Sequence, residues 1–462
     1  MQSGIFHPLR VAVIGTGYVG LTTGVSLAFL GHRIVAVDKD INKVEMLKNG
    51  KSPIHEYGLD ELLMQTREHV HFSGDTAGSV GEADVILIAV GTPSRENGQA
   101  DTQYVEAAAR EIAEGLLPER KYTIIVKSTV PVGSNRRVQH VIHETLLAQD
   151  VSGRISVNVA SNPEFLREGT ALHDTLYPDR IVVGAETSES VDVIRQLYQP
   201  ILEQTFAEPA ALPRPEGYDL PSMVTTDPIS AELIKYASNA FLAMKISYAN
   251  EIAGLCERVG GNITEVTRGM GLDSRISPDF LRAGLGWGGS CFPKDTAALV
   301  AMGKELACPM RLVEASREVN TAQRQRVVER LQEELKGLRG RVVGVLGLSF
   351  KPGTDDLRES PAVEVVRALL EREAHVRVHD PIAMDNARIE LEGSGVEFFA
   401  NPDDLAPGAD ALVLATEWPE YRALKLERLS AAMRTPILVD ARNLFDRDQA
   451  ISANLTYLAV GR

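Results

Sequence analysis

Short runs of consecutive apolar residues recur along the first third of the chain. Each run is followed by a glycine or polar turn and a longer helical pattern. The runs lie at 11–14, 34–37, 84–90, 122–126 and 156–160. An unbroken apolar run of this length is typical of a strand buried on both faces of a parallel sheet. Strands of this kind that alternate with helices predict an α/β domain with a doubly wound parallel sheet.

The same alternation returns near the end of the chain. A strand-then-glycine opening over 341–348 precedes a predicted helix over 361–373, and further apolar runs lie at 375–378, 411–415 and 436–439. We therefore predict a second α/β unit of the same class. The expected fold is α/β, with two Rossmann-like, doubly wound parallel-sheet domains.

The middle of the chain has a helical pattern. Residues 229–259 form the longest such pattern, which ends at a pair of glycines, and a short helix is predicted over 263–271. The preceding stretch, 206–228, is polar, contains five prolines and has no periodicity, so we predict a surface loop or linker there. The long central helix is expected to join the two α/β domains.

Length and composition narrow the class of protein. At 462 residues the chain is too long for one hydrophobic core, and 44% hydrophobic with 24% charged residues is ordinary for a globular protein. The net charge of −15 argues against nucleic acid as a partner. No apolar run reaches membrane-spanning length, and the first ten residues lack the apolar segment of a signal peptide. Three cysteines argue against a disulfide framework, so we expect a cytoplasmic protein.

A glycine fingerprint follows the first apolar run. It consists of Gly15, Gly17 and Gly20, with Tyr18 and Val19 between the last two glycines. Strand, glycine turn, helix, strand and a final acidic residue, Asp38, predict a dinucleotide site with the pyrophosphate at the helix N-terminus. Asp38 is expected to bind the ribose diol and repel a 2′-phosphate, which favours NAD over NADP, although the neighbouring Lys39 weakens that preference. The alternative is a glycine turn that binds no ligand.

Polar side chains also follow the later strands of the first domain. Thr92, Thr129 and Glu164 each come shortly after an apolar run. Taken singly, each is explained as well by a helix cap or a turn residue. Because ligands of an open parallel sheet bind beyond the carboxyl ends of its strands, the three together indicate a binding site at that edge.

Cys291 lies between a glycine-rich segment and a predicted helix. Pro293 suits the first turn of that helix, and the positive end of a helix dipole favours a thiolate. Gly288 and the glycines beside it are expected to let the backbone approach a ligand. The alternative is a buried structural cysteine, which is our interpretation of Cys256 and Cys308.

Two further pairs of polar residues include side chains that can bind an anionic ligand. Lys235 and Asn239 lie four positions apart in the long helical pattern and therefore share one face. A solvated surface lysine is the alternative for Lys235. In the second α/β unit, Lys351 and Arg358 follow the first strand and suit phosphate groups. We therefore expect a second nucleotide, distinct from the first, in a cleft between the halves.

Six motifs occur in order along the chain: Gly15–Gly20, Lys127–Pro131, Asn162–Leu166, Lys235–Asn239, Gly288–Asp295 and Phe350–Asp356. In these motifs the chain resembles the UDP-glucose/GDP-mannose dehydrogenase family over nearly its whole length. The resemblance implies that two NAD⁺ and water convert the 6-hydroxymethyl group of a nucleotide sugar into a carboxylate. Residues 290–295 are nearer to family members that act on UDP-glucose than to those that act on N-acetylamino sugars. UDP-glucose is therefore the expected substrate, with GDP-mannose or a UDP-N-acetylamino sugar as alternatives.

The resemblance implies a covalent mechanism. Cys291 is the nucleophile, whose thiolate adds to the aldehyde intermediate so that a second hydride can leave. Lys235 stabilises the oxyanion, with Asn239 as a fixed donor. Asp295 orients a water or Lys235 and assists proton transfer.

Hydrolysis of the resulting thioester is assigned to two further residues by the same resemblance. Glu164 is the general base, and Thr129 holds the water. No metal ion is implied. Two rival functions stay open: a two-electron dehydrogenase of the hydroxyacid type, which yields one NADH per substrate instead of two, and a nucleotide-sensing protein with an inactive site.

The resemblance also implies the binding residues. The NAD positions are matched by Val19, Asp38, Lys43, Thr92, Thr129, Glu168, Lys294 and Arg358, besides Tyr18 and the fingerprint glycines. The nucleotide-sugar positions are matched by Glu164, Phe165, Leu166, Arg167, Glu168, Lys235, Asn239, Phe280, Leu281, Arg282, Ala283, Gly284, Gly288 and Lys351. Arg275 matches an arginine that can reach a neighbouring subunit's site, so at least a homodimer is expected.

We predict three regions on this basis. Residues 1–210 form the NAD-binding domain, residues 211–335 form a central helical domain with the long helix and the cysteine loop, and residues 336–462 form the UDP-binding domain.

Overall fold

The computed structural model describes residues 6–462, and the chain divides after Ala237 into two compact units. The strands of the first unit are β1 (Arg10–Ile14), β2 (Arg33–Val37), β3 (Val70–Ser73), β4 (Val85–Ile88), β5 (Arg120–Val126), β6 (Ile155–Ser161), β7 (Arg180–Ala185) and β8 (Ser222–Thr226). Its helices are α1 (Tyr18–Phe29), α2 (Ile41–Lys48), α3 (Leu59–Gln65), α4 (Thr76–Val80), α5 (Gln103–Gly115), α6 (Ser134–Ala148), α7 (Ala171–Leu176) and α8 (Ser188–Glu203). The long helix α9 (Pro228–Val259) begins in this unit and continues into the next.

The strands of the first unit form one sheet in the order β3-β2-β1-β4-β5-β6-β7-β8. All neighbouring strands are parallel except β6 and β7. Successive residues of β1 enter two different cores, Val11 and Val13 on one face and Ala12 and Ile14 on the other. The strand order reverses between β1 and β4, and a doubly wound sheet binds its ligand beyond the carboxyl ends of the strands at this point.

The prediction of a loop or linker over 206–228 is wrong for one segment. Ser222–Thr226 is strand β8, which pairs in parallel with β7 at the edge of the sheet, with Val182 opposite Val224. The strand is mostly solvent-exposed, so it lacks the apolar run that marks the buried strands. The prolines at 221 and 228 flank the strand instead of interrupting it, as an edge strand requires.

The second unit contains the helices α10 (Ile263–Gly271), α11 (Phe292–Glu305), α12 (Arg311–Leu335), α13 (Pro361–Glu371), α14 (Met384–Glu390), α15 (Leu426–Ala432) and α16 (Arg447–Ser452). Its strands are β9 (Val342–Leu346), β10 (His375–His379), β11 (Glu397–Phe398), β12 (Ala411–Leu414), β13 (Ile437–Asp440) and β14 (Thr456–Ala459), and short 3₁₀ turns lie at Pro402–Leu405 and Pro419–Ala423. The strands form a wholly parallel sheet in the order β11-β10-β9-β12-β13-β14.

The two units repeat the same first turn. The Gly15 N–H donates to the Val37 carbonyl at 2.7 Å after β1, and the Gly347 N–H donates to the His379 carbonyl at 2.8 Å after β9. Both glycines have a positive φ, +97° and +90°, which L side chains rarely adopt. Two parallel-sheet α/β units with a long central helix confirm the predicted fold class.

The helix predictions for the middle of the chain are confirmed, since 229–259 and 263–271 correspond to α9 and α10. Cys256 is buried, as predicted. The core assignment of Cys308 is wrong, because its side chain is exposed. Cys308 follows Ala307, which has a φ of +53° just after α11 ends, so the chain leaves the core before the cysteine is reached.

Within residues 6–462, no helix combines the length and apolar character needed to cross a membrane. The same residues contain no group of three or more histidine, cysteine or acidic side chains placed to hold a metal ion. The division into regions 1–210, 211–335 and 336–462 stays a prediction.

Candidate active site

The glycine fingerprint joins β1 to the N-terminus of α1. A Cβ on Gly15 would lie 2.7 Å from the Ala89 carbonyl oxygen, so this glycine is required by protein packing. By contrast, a Cβ on Gly17 would meet no atom within 4 Å among residues 6–462. Gly17 is the residue that caps α1, where helix N–H groups lack partners within the helix. The open space at a helix N-terminus fits the pyrophosphate of a dinucleotide.

Asp38 directly follows β2 and faces the same loop. One carboxylate oxygen accepts hydrogen bonds from the Thr16 N–H at 2.9 Å and the Thr16 hydroxyl at 2.8 Å, and the other accepts from the Asp40 N–H at 3.0 Å. Burial by itself would raise the pKa of Asp38, but these hydrogen bonds and the charge of Lys43 lower it below its ordinary value. The ionised carboxylate is the acceptor that a ribose diol requires.

Tyr18 connects the glycine loop to the segment that follows β6. Its hydroxyl donates to Glu56 and accepts from the Gly169 N–H at 2.6 Å. Glu56 is buried and also accepts from the Gly169 N–H at 2.7 Å. The sequence analysis missed Glu56, because an isolated glutamate between two loops carries no pattern. Glu168 directly precedes Gly169 in the chain. Val19 lies on α1, and Lys43 lies on α2.

The loops that follow β4 and β5 are also joined. The Thr92 hydroxyl donates to the Thr129 carbonyl at 2.8 Å, and the Ser128 hydroxyl donates to the Val90 carbonyl at 2.7 Å. Both threonines lie at the carboxyl edge of the sheet, as the sequence predicted from strand ends.

Glu164 and Lys235 form a buried ion pair. The Lys235 ammonium lies 2.8 Å from a Glu164 oxygen, and the side chains are 3% and 5% exposed. This burial excludes the alternative of a solvated lysine. The second Glu164 oxygen accepts the Leu166 N–H at 2.6 Å. Burial by itself would raise the pKa of Glu164, but the Lys235 ammonium, this hydrogen bond and the Lys127 ammonium together lower it.

Aromatic contacts fix the rest of this segment. Arg180 of β7 stacks over the Phe165 ring at 3.9 Å, and the Lys235 ammonium lies 5.4 Å from the same ring centroid. Arg167 extends to the surface and pairs with Asp174 at 2.6 Å.

In the second unit, Cys291 occupies the position before the first residue of α11, and Pro293 lies in the first turn. Its thiol forms no disulfide bond and is half-buried, unlike the fully buried cysteine that the structural alternative describes. The Cys291 carbonyl accepts the Asp295 N–H at 2.8 Å, so the helix starts directly at the cysteine. The helix dipole at this end favours the thiolate.

Asp295 is fully buried in the first turn of α11 and is held from two sides. The Asn239 amide donates to one carboxylate oxygen at 2.6 Å, and the Lys294 ammonium lies 2.5 Å from the other. Three of the residues predicted for the site are therefore in direct contact. Lys235 lies one helical turn before Asn239 on α9.

The glycines before Cys291 are required by packing within the second unit. A Cβ on Gly289 would lie 2.7 Å from the Phe350 ring, and one on Gly288 would collide with the Glu359 carbonyl. These glycines allow close packing of the chain against itself. The expectation that the backbone of these glycines also approaches a ligand stays a prediction.

The predicted nucleotide-sugar residues 280–284 lead towards the cysteine loop. Leu281 and Ala283 are buried, the Gly284 N–H donates to Asn250 at 2.8 Å, and Arg282 is exposed. The Phe280 ring lies 6.0 Å from the ring of Phe292, the residue after Cys291.

The remaining predicted cations lie in exposed or half-buried places. Arg358 pairs with Asp356 at 2.8 Å, and the Lys351 ammonium lies 5.6 Å from the Phe350 ring centroid. Arg275 is 87% exposed and pairs with Asp273 at 2.6 Å.

Arg317 is a further residue that the sequence analysis missed. Its guanidinium, on α12, donates to the Pro293 carbonyl at 2.8 Å and to the Thr296 hydroxyl at 2.7 Å. It therefore holds the first turn of α11, directly after Cys291. Burial lowers the pKa of Arg317. An arginine within a charged, exposed helix pattern gives no sequence signal for this contact.

A doubly wound sheet, an open glycine loop at a helix N-terminus and an ionised acid at the end of the second strand define a dinucleotide-binding protein. Comparison with known families gives the particular class. The NAD binding domain of the UDP-glucose/GDP-mannose dehydrogenase family matches residues 9–202, its central domain matches residues 229–322, and its UDP binding domain matches residues 344–447.

Individual relatives agree with the family models over the full length. UDP-glucose 6-dehydrogenase of Rhizobium meliloti (strain 1021) is 46% identical over 462 residues, which cover 98% of this chain and 100% of the relative. UDP-glucose 6-dehydrogenase TuaD of Bacillus subtilis (strain 168) is 41% identical, with 98% and 93% covered. The solved structure of a UDP-glucose dehydrogenase from Pyrobaculum islandicum is similar with a TM-score of 0.87 and 40% identity, and 100% of this chain and 99% of that chain are covered.

The chain belongs to the UDP-glucose/GDP-mannose dehydrogenase family. It is therefore an NAD-dependent dehydrogenase of nucleotide sugars, and the predictions of family, enzyme class and NAD cofactor are confirmed.

Proposed function

We propose that the protein is a UDP-glucose 6-dehydrogenase. It oxidises UDP-glucose to UDP-glucuronate in two steps that together remove four electrons and reduce two NAD⁺. The observation that carries the choice of substrate is the 46% identity, over 98% of this chain, to a UDP-glucose 6-dehydrogenase. The same observation supports a nucleotide sugar as substrate over the hydroxyacid that the alternative two-electron dehydrogenase would oxidise.

The covalent route is supported by the position of Cys291. A half-buried thiol that forms no disulfide bond, at the N-terminus of α11, is suited to exist as a thiolate and to reach a substrate. Bound NAD⁺ accepts one hydride in each oxidation. In the proposed route the Cys291 thiolate bonds to the aldehyde carbon, and Lys235 and Asn239 donate hydrogen bonds to the oxygen as it gains negative charge. Asp295 holds Asn239 in place through their 2.6 Å hydrogen bond.

Hydrolysis of the thioester completes the proposed reaction. Glu164 takes a proton from water held near Thr129 while the water oxygen bonds to the thioester carbon. The carbon–sulfur bond breaks, and the Cys291 thiolate is restored. The lowered pKa of Glu164 supports this role, because the base must be ionised before it can accept a proton.

The test is the number of NADH molecules formed per UDP-glucose. We expect two in the native protein, measured by NADH absorbance against chromatographic quantification of UDP-glucuronate. Cys291→Ala is expected to abolish acid formation while calorimetry still detects UDP-glucose binding. Cys308→Ala is the matched control, because that exposed thiol is not part of the proposed site. Normal acid formation by Cys291→Ala would contradict the covalent route.

Other nucleotide sugars form the second candidate. A UDP-D-ManNAc dehydrogenase from Pyrococcus horikoshii is similar in structure with a TM-score of 0.82 at 25% identity, and 98% of this chain and 99% of that chain are covered. A panel of UDP-glucose, UDP-N-acetylamino sugars and GDP-mannose separates the candidates. We expect the largest kcat/KM with UDP-glucose, and a larger value with any other sugar would overturn the substrate assignment.

Three further expectations belong to this proposal. The active form is at least a homodimer in which the exposed Arg275 reaches a neighbouring subunit's site. The chain has the three regions 1–210, 211–335 and 336–462, which the three matching family models support. Its location is cytoplasmic, as the low cysteine content suggests.

A further inference from the structure

Lys127 is a buried cation that the proposed mechanism does not use. It follows β5 directly and is 7% exposed. Its ammonium donates to the Asn162 side-chain oxygen at 3.1 Å and lies 5.7 Å from the Tyr198 ring centroid. No carboxylate oxygen in residues 6–462 lies within 4 Å of this ammonium, so its direct contacts are with a neutral amide and an aromatic face.

An amide acceptor alone does not offset the burial of a charge. Removing an ammonium from water costs several kcal/mol, and a buried lysine is ordinarily stabilised by an acidic partner. Asn162 is itself fixed, because its oxygen also accepts the Tyr198 hydroxyl at 2.7 Å and its amide donates to the Val182 carbonyl at 2.8 Å. The ammonium is therefore held at one position, and its charge must be favourable for another group nearby.

Glu164 is that group. It lies two residues after Asn162, is ion-paired with Lys235, and has its pKa lowered in part by the charge of Lys127. From the elements around it, Lys235 of α9 and Lys127 of the loop after β5 present positive charge, while Arg180 of β7 stacks on the adjacent Phe165. Within the described part of the first unit, the two buried ammonium groups thus share one buried carboxylate.

Glu164 needs a second positive charge in the proposed reaction, because Lys235 has two tasks. Lys235 is assigned both to the ion pair with Glu164 and to the substrate oxygen. When Lys235 turns to that oxygen, Glu164 loses its closest positive charge, and a buried carboxylate without one takes up a proton. A protonated Glu164 cannot accept the proton of the attacking water.

We propose that Lys127 is a positioning residue for thioester hydrolysis: it holds Asn162 and supplies the positive charge that keeps Glu164 ionised while Lys235 is engaged with the substrate. The inference rests on the proposed function, in which Glu164 is the general base. In that step water bonds to the thioester carbon, its proton passes to Glu164, and the Cys291 sulfur leaves as thiolate.

The test is the pH dependence of steady-state turnover in Lys127→Gln, which keeps a hydrogen-bond donor for Asn162 and removes the charge. We expect the acidic limb of the kcat profile to move to higher pH. At pH values on that acidic limb, turnover of the variant is lower than that of the native protein by about tenfold for each unit that the pKa of Glu164 rises. The covalent thioester on Cys291 is expected to accumulate at low pH and to be visible by mass spectrometry. Lys127→Arg keeps the charge and is expected to restore the native limb.

Two matched variants separate charge from disturbance of the fold. Lys121→Gln removes a lysine from β5, the strand that precedes Lys127, but this side chain is 74% exposed and pairs with Glu189. Tyr198→Phe removes the other hydrogen bond to the Asn162 oxygen without changing charge. We expect the acidic limb of both variants to coincide with that of the native protein.

The outcomes for the role and for the function are distinct. A native limb in Lys127→Gln, in a protein that forms two NADH per UDP-glucose, overturns the role of Lys127 alone. An equal shift in Tyr198→Phe also overturns it, because the effect then comes from Asn162 and not from charge. Absence of acid formation by the native protein overturns the proposed function together with this inference.

Discussion

Single residues decide the choice of cofactor. Asp38 was predicted from its place at the end of the second strand, and the structure adds the partner of the cation beside it. The ammonium of Lys39 pairs with Glu111 of α5 across the loop. A 2′-phosphate needs a free cation near this position, so Glu111 removes the cation that would otherwise weaken the preference for NAD. The sequence shows Lys39, but no local pattern identifies a partner that lies 72 positions away.

We predict that Glu111→Gln raises kcat/KM for NADP⁺ by about 2- to 5-fold and leaves kcat/KM for NAD⁺ nearly unchanged. The small factor follows from the strength of exposed ion pairs, which is about 0.2–1 kcal/mol. Initial rates with each cofactor give the ratio. Glu45→Gln, which breaks the exposed pair of Glu45 with Lys48 on α2, is the matched control. Equal NADP⁺ use in both variants would show that Lys39 does not matter for cofactor choice.

At the scale of elements, long-range side-chain contacts hold strands and helices in place. His32, fully buried just before β2, accepts the Leu9 N–H at 3.0 Å through Nδ1 and hydrogen-bonds the Leu197 carbonyl of α8 at 2.9 Å through Nε2. This arrangement requires the neutral ring with its proton on Nε2. Burial lowers the pKa of His32, against a smaller raising effect of the Leu197 carbonyl.

This contact makes stability depend on pH. A histidine with a lowered pKa in the folded state binds fewer protons there than in the unfolded chain, so its contribution is complete above a pH of about 6.5 and is lost as the pH falls below it. We predict that protonation of His32 lowers the unfolding free energy of the native protein by about 1.4 kcal/mol for each unit that the pH falls in that window. His32→Gln is expected to lack this part of the slope.

Urea unfolding of both proteins across this window measures the difference, which removes the effect of other groups such as His379. The control is His140→Gln, since His140 lies on the surface of α6 beside Glu144. Parallel stability curves for the native protein and His32→Gln would contradict the prediction.

The two units repeat the same α/β arrangement, but the aspartates that follow the second strand of each arrangement have different surroundings. Asp380 follows β10 as Asp38 follows β2, and it accepts the Leu348 N–H at 2.8 Å and the Ser349 N–H at 3.1 Å, as Asp38 accepts Thr16. In the second unit, however, the Trp418 indole also donates to Asp380 at 3.0 Å, and the aspartate is 1% exposed. Its acceptors are engaged inside the protein, whereas Asp38 is only half-buried.

We predict that one NAD⁺ binds per chain and that the two aspartates respond in opposite ways. Asp38→Asn is expected to weaken NAD⁺ binding about 10- to 100-fold, because a hydrogen bond to a charged acceptor contributes about 1.5–3 kcal/mol. Asp380→Asn is expected to leave NAD⁺ affinity unchanged and to lower the melting temperature, because buried N–H donors lose their charged acceptor. Calorimetric titration and thermal unfolding measure the two effects. Two NAD⁺ per chain, or lost affinity in Asp380→Asn, would contradict this reading.

Several parts of the site followed from local sequence alone. The buried strands, the glycine turn at Gly15, the helix start at Cys291 and the long helix α9 depend on neighbouring residues, and periodicity and turn chemistry report these directly. The exposed edge strand β8 and the surface position of Cys308 were missed. Whether a polar strand pairs, or a cysteine points inward, depends on residues distant in sequence.

The amino-acid sequence by itself determined the class of fold and the dinucleotide loop, and it supplied the side chains that we propose for the chemistry. The tertiary structure decided their partners: Lys235 with Glu164, Asn239 with Asp295, Glu111 with Lys39, and Lys127 with Asn162. Partner choice sets charge and ionisation, because a buried group responds to whatever lies within a few ångströms of it. Such neighbours are brought together by the packing of strands and helices, which no local pattern records.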